Sequence, residues 1–169
     1  MKLSEISPKP EYYERYMNKC DDTELMQAIQ TSIDELKKVP VKKWEQTGNK
    51  TYEPGKWTVK EIIQHLIDTE RVFMFRALAF ARGINQPALP FPQDDYAAAS
   101  NANNRTVEDL IDELKIVRES LFALYGSFTP EMLNKTGSLP HLSAAAIGFV
   151  LPGHQRWHFR VIEEKYCGL

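Results

Sequence analysis

The sequence predicts an all-α protein built on four long helices, and three observations carry that expectation. Apolar residues recur at spacings of three and four in four separate stretches. Two of these open with Thr followed three residues later by an acid, and no alternating apolar run is long enough to read as a strand. At 169 residues, 43% apolar and 26% charged, the chain has the size and composition of one soluble domain spanning 1–169. Such a chain buries about 70% of its unfolded surface, so it needs neither disulfides nor a structural metal merely to fold.

The first stretch runs from about Asp22 to Val39, with Met26, Ile29, Ile33 and Leu36 on one face and Pro40 closing it. The second begins at Thr58, which forms a capping-box pattern with Glu61, while Trp57 can pack on Ile62 as a staple. Its stripe of Ile62, Leu66, Thr69, Phe73, Ala77 and Phe80 is about one helical face wide, and Gly83 ends it. A connection of more than 20 residues follows, INQPALPFPQDDYAAASNANNR. Connections that long are uncommon without a purpose, so this one is expected to be functional or partly helical near Asp94 to Ala99.

The third stretch opens at Thr106 with Asp109 three residues on, and Leu110, Leu114, Val117, Leu121, Leu124 and Phe128 follow in the rhythm of antiparallel bundle packing. Thr129-Pro130-Glu131 reads as the cap and first turn of a short extra helix before the last long one. The fourth stretch runs from about Ser143 to Tyr166, where Pro152-Gly153 is expected to interrupt and kink it, since proline removes one backbone hydrogen bond.

Charge and composition narrow the function classes. Twenty-one Lys and Arg against 23 Asp and Glu leave a net charge of -2 without a basic stripe, which argues against nucleic acid as a partner. No apolar run approaches the roughly 18 residues of a membrane span, and the first residues lack the pattern of a signal peptide, so a cytoplasmic protein is expected. Cys20 and Cys167 lie near opposite ends without CxxC spacing and read as free thiols, although a bridge between them stays open.

The chemistry concentrates on histidine. His154 and His158 are four apart, so they lie within about 40° of each other on one helix face. Ile147, Leu151, Val161 and Ile162 place that face toward the interior. Two inward imidazoles need partners, and a divalent ion satisfies both as neutral ligands. His65, in line with Glu61, Thr69 and Arg76 on the second helix, is in position to supply a third nitrogen. Three histidines leave a coordination position open, the arrangement of a catalytic rather than a structural zinc site.

Against this stands the ordinary reading, because H-x-x-x-H also recurs by chance and single histidines are often satisfied core residues. His141 reads as a loop residue. The remaining catalytic candidates are weak: Asp68, one turn beyond His65, faces an imidazole or water, while Asp94 and Asp95 read as solvated loop that could reach over a bundle end. Glu61 is expected to be occupied by capping, and Tyr12, Tyr13 and Tyr16 to be packing rather than a ligand platform.

The segment GKWTVKEIIQHLIDTER from Gly55 to Arg71, the following FRALAFARG, and Gly153-His154-Gln155-Arg156-Trp157-His158 together resemble the DinB-like superfamily, and the likeness runs from YYERYM to the last helix. The resemblance implies a four-helix bundle, often a homodimer, with a divalent metal such as zinc or nickel held by residues matching His65, His154 and His158. It also implies an activity in the range the family covers: metal-dependent hydrolysis, or transfer of low-molecular-weight thiols such as bacillithiol or mycothiol to a small-molecule substrate. Three functional classes follow. The site is an open one that activates water or a thiol, a closed one that binds a metal or small ligand without catalysis, or the chain is a metal-free interaction module in which His65 points away.

Overall fold

Hydroxyl side chains start three of the four long helices. Each accepts the backbone N–H three residues on, supplying a partner that the first helical turn lacks. In the computed structural model, which describes residues 1–84, 87–139 and 141–168, Thr58 caps α4 (Val59–Ala81), Thr106 caps α6 (Val107–Gly126) and Ser143 caps α8 (Ala144–Lys165). The fourth, α2 (Leu25–Leu36), follows Glu24 without a side-chain cap, and its first residue lies three beyond the Asp22 start that the sequence suggests. Gly83, at φ +72°, terminates α4. Its N–H bonds to Phe80 O, and that of Ile84 to Ala79 O, which is the Schellman pattern a left-handed residue permits.

Shorter helices fill the connections: α1 (Glu11–Met17), α3 (Val41–Glu45), α5 (Gln93–Ala99) and α7 (Pro130–Asn134). The last two answer the expected helix near Asp94 and the expected turn at Thr129, whereas α1 and α3 were not anticipated. Among the described residues there is no β-strand, only two isolated bridges. Asn85 and Gln86 of the long connection, and Pro140 beside His141, lie outside the described residues.

The fold is an all-α four-helix bundle in which α2 and α4 each pack on both α6 and α8, so that α2 faces α4 across one diagonal and α6 faces α8 across the other. Of the successive pairs of long helices, α2 with α4 and α6 with α8 are therefore diagonal, whereas α4 and α6 are neighbours. The diagonal pairs cannot be closed by short loops, and the connection between the adjacent α4 and α6, residues 82–106, is longer still because it carries α5.

Two expectations about helix ends are corrected. Phe128 lies beyond the end of α6 and meets the Tyr125 ring instead of extending the helical stripe. Pro152 does not interrupt α8, which runs through it as helix. Every residue from Ala144 to Gln155 is buried, so packing on all sides holds the segment helical against the loss of one backbone bond.

The core has two apolar clusters. One gathers the N-terminal half of α8 with the later turns of α4 and α6; the other gathers the C-terminal half of α8 with their early turns. Between them lies a buried polar layer with one residue from each bundle helix: Ser32, Glu70, Arg118 and Gln155. Arg118 donates from Nε to Glu70 Oε1 at 2.6 Å and from Nη2 to Glu70 Oε2 at 2.9 Å, and from Nη1 to Ser32 Oγ. Gln155 Nε2 donates to Ser32 O at 3.2 Å.

Removing one partner of a buried ion pair strands the other, at about 3–5 kcal/mol. Arg118→Met is expected to destabilise the protein by about that amount in chemical denaturation, whereas adding Glu70→Met to it recovers most of the loss. Equal stability of Arg118→Met and the native chain would show that the layer contributes nothing.

Candidate metal centre

Each histidine is placed by local order around it. The start of α4 is locked because Glu61 accepts the Thr58 N–H at 2.7 Å and Asn103 Nδ2 at 3.0 Å, while Thr58 Oγ1 donates to Asn103 Oδ1 at 2.7 Å. Glu61 is thus occupied as expected, and His65 follows one turn later, buried. His154 and His158 lie one turn apart on α8, two and six residues beyond Pro152.

The structure brings these three residues together, with one ring nitrogen from each within 4.8 Å of the others. His154 Nε2 is 3.3 Å from His65 Nε2 and 3.0 Å from His158 Nε2. The rings meet nearly edge to face, with centroids 4.6 to 5.1 Å apart. Such separations suit three ligands of one ion, since arms of about 2.0–2.1 Å at tetrahedral angles put nitrogens about 3.3 Å apart. Hydrogen bonding within the trio serves less well, because His154 Nε2 stands in both contacts and one nitrogen is either donor or acceptor.

Burial keeps the imidazoles neutral. It lowers the His65 pKa from 6.5 to about 4, and burial together with the neighbouring His65 lowers that of His158 to about 3. His154 is held well below 6.5, first by burial and then by His158 and His65. Neutral imidazole is the form that ligates a metal.

Aromatic rings wall the cluster. Trp57 tilts onto His65 with centroids 4.7 Å apart, Phe91 stacks parallel to it at 6.3 Å, and Tyr16 packs edge-on against His154 at 4.9 Å. Thr69 Oγ1 lies 3.4 Å from His65 Nδ1, one turn along α4. A cavity of about 380 Å³ opens from His65 and His154 between α1, α4 and the connection that carries Leu89 to Phe91. That volume falls within the usual range of ligand pockets. A larger cleft of about 700 Å³ lies beyond the same connection, against Phe75, Phe80 and Tyr96, and has no histidine in its walls.

Tyr12, Tyr13 and Tyr16 do pack, Tyr12 on Tyr13, Tyr13 on Phe73 and Tyr16 on His154, and all three also line the cavity. The reason is a contact made far along the chain. A Cβ on Gly153 would stand 1.9 Å from Tyr16 O, so only glycine lets α1 lie close enough to α8 to bring Tyr16 over His154. The helical spacing of Tyr13 and Tyr16 was visible in the sequence, but the partner surface was not.

The weak acidic candidates do not join the cluster. Asp68 accepts from Gln64 Nε2 at 3.0 Å and lies 4.0 Å from Arg71, and the ring nitrogens of His65 meet Thr69 and His154 instead. Asp94 and Asp95 are exposed in the first turn of α5. Among the described residues no carboxylate belongs to the ligand group. The connection reaches the site with Phe91, not with an acid. His141 is an exposed turn residue at φ +58°, and both cysteines are free thiols, with burial pushing that of Cys20 up to about 11.

The histidine shifts fix a sign. Below about pH 6.5 the unfolded chain takes up protons that the folded, ion-free trio refuses, so stability is complete above that pH and lost as the pH falls toward about 3. Thermal melts of chelator-treated protein should show the midpoint falling with acidification, and less steeply in His158→Gln. Parallel curves for the two proteins would contradict the depressed pKa.

Comparison with known proteins places this geometry in a family. The sequence model of the DinB superfamily matches residues 11–162. A protein of Oceanobacillus iheyensis, provisionally named a metal-dependent hydrolase, is 28% identical over 89 residues, which make up 52% of this chain. The match spans 50% of that relative, so the chain covers about half the length of the curated protein it resembles. In three dimensions the chain is similar to YfiT from Bacillus subtilis, described as a probable metal-dependent hydrolase with an unusual four-helix bundle topology. The TM-score is 0.67 over 94% of this chain and 87% of that one, at 14% identity, a likeness of fold alone. The sequence match over most of its length and the shared bundle lead to one conclusion: this chain belongs to the DinB superfamily.

Proposed function

We propose that the chain is a metal-dependent enzyme in which His65, His154 and His158 hold one divalent ion, zinc or nickel first among the candidates, and activate a small nucleophile for attack on a substrate in the adjoining cavity. The observation that carries this reading is the convergence of three neutral, desolvated imidazoles at 3.0 and 3.3 Å beside a cavity of about 380 Å³. An ion bound there supplies Lewis acidity, bringing a water toward a pKa near 7 or deprotonating a thiol outright.

The protein's own groups do the rest. His65, His154 and His158 offer lone pairs from rings that burial keeps unprotonated. Trp57 and Phe91 flank His65 and exclude water from it, and Tyr16 does the same on the edge of His154. Thr69 Oγ1 borders the His65 ring at 3.4 Å from Nδ1 and 3.5 Å from Nε2, and limits how the ring can turn. The absence of a carboxylate from the ligand group, among the described residues, supports an open coordination position over a closed storage site.

Two nucleophiles fit. Water gives hydrolysis, in keeping with the names of the two similar proteins. A low-molecular-weight thiol gives transfer, and one observation favours it: among the described residues no Asp or Glu lines the cavity to serve as a general base, which a metal-activated thiol does not need.

Elemental analysis of protein purified without an affinity tag or chelator should find about one divalent ion per chain and little in His154→Ala. Turnover of a nitrophenyl ester, or of chlorodinitrobenzene with a small thiol, should fall at least about a hundredfold on chelation and return with the ion. Full turnover in stripped protein or in His154→Ala would overturn the proposal.

A further inference from the structure

The cavity beside the histidines is walled by Tyr13, Tyr16, Phe73 and Phe91 and, among the described residues, contains one fixed charge, the Arg76 guanidinium. Four arginines in the chain are wholly or partly removed from solvent: Arg76, Arg105, Arg118 and Arg156. Three of them are paired, Arg105 with Glu113, Arg118 with Glu70 and Arg156 with Glu35. Arg76 is not. Its Nη2 donates to Leu89 O at 2.8 Å and its guanidinium lies 4.7 Å over the Phe73 ring, but among the described residues no carboxylate reaches it. A partly desolvated cation without a counter-ion is costly to keep, and an anion arriving in the cavity relieves that cost.

We propose that Arg76 anchors a carboxylate on the substrate, so that the site takes small organic anions with an aromatic or branched apolar body and presents their far end to the histidines. This deepens the enzymatic reading above and rests on it for the reacting end. The body of the substrate lies against the tyrosine and phenylalanine rings, which suit flat apolar groups. The planar guanidinium retains N–H groups beyond the one given to Leu89 and can take the carboxylate in a forked geometry. Tyr13 faces the same space, and the Arg76 charge opposes the rise that burial imposes on its phenol pKa, as expected of a cation close to it. The competing role for Arg76 is structural: a peg that holds the Leu89 segment over the cavity.

The test uses chelator-treated protein and two probes of nearly equal shape, phenylpropionate and its neutral amide, phenylpropanamide, with binding followed by NMR titration. The carboxylate should bind at least about tenfold more tightly than the amide, since a hydrogen bond to a charged group contributes that much or more. Arg76→Gln should bring the two to near equality, and Arg76→Lys, which keeps the charge while losing the planar donor set, should retain part of the preference. His158→Ala, which lacks a metal ligand outside the cavity wall, should keep the full preference. That arm separates this proposal from the metal reading: metal retention by His158→Ala would count against the centre and leave the anion preference untouched. Equal binding of the two probes, binding of neither, or a preference that survives Arg76→Gln would overturn the anchor and leave Arg76 as a peg.

Discussion

A buried guanidinium holds the four helices of this bundle in one register. Arg118 on α6 takes both carboxylate oxygens of Glu70 on α4 and reaches Ser32 on α2, whose carbonyl in turn accepts from Gln155 on α8. A slide of one helix by a turn, about 5.4 Å, would leave a charge in the interior without its partner. Apolar clusters on either side tolerate small shifts, but this layer does not. Its position also sets the site, because Glu70 adjoins Thr69 and Gln155 adjoins His154. One structural choice therefore fixes both the bundle and the meeting of α4 with α8 at the histidines. Gln155 Oε1 is the buried side-chain atom without a partner among the described residues, so the layer is fully satisfied on its charged side and incomplete where it borders the site.

The histidines sit where the two apolar clusters meet, and this location explains their electrostatics. Rings packed among Trp57, Phe91 and Tyr16 lose their hydration and stay neutral well below the usual range. The same burial that readies them for a metal makes the ion-free protein sensitive to acid. Stability and ligand readiness are thus opposed at these three residues, a common condition of functional sites.

Local signals made much of the fold legible in the sequence. Thr58, Thr106, Thr129 and Ser143 cap helices, Gly83 ends one, and the three- and four-residue spacings mark the long elements, because capping and amphipathicity are properties of neighbouring residues. His65, His154 and His158 were legible as candidates for the same reason: each sits at a predictable place on a helix. What escaped was set by contacts between distant segments. The diagonal placing of α2 against α4 and of α6 against α8, the continuity of α8 through Pro152 and the polar layer all depend on which faces meet. The role of Tyr16 depends on Gly153, and those residues are far apart in the chain. Phe91 and Arg76 likewise become cavity residues only when the long connection folds over α4. Asp68, Asp94 and Asp95 were singled out by chemical type alone, and the structure gives none of them a place in the cluster.

The central claim is that three imidazoles, one from α4 and two from α8, share one ion and leave it a position for an exchangeable ligand. X-ray absorption at the metal edge of protein loaded with zinc or nickel tests this most directly. The account predicts a first shell of three imidazole nitrogens completed by light, exchangeable oxygen, with one imidazole lost in His65→Ala. A shell with sulfur from Cys20 or Cys167, a shell filled by protein carboxylate, or an unchanged spectrum in His65→Ala would contradict it.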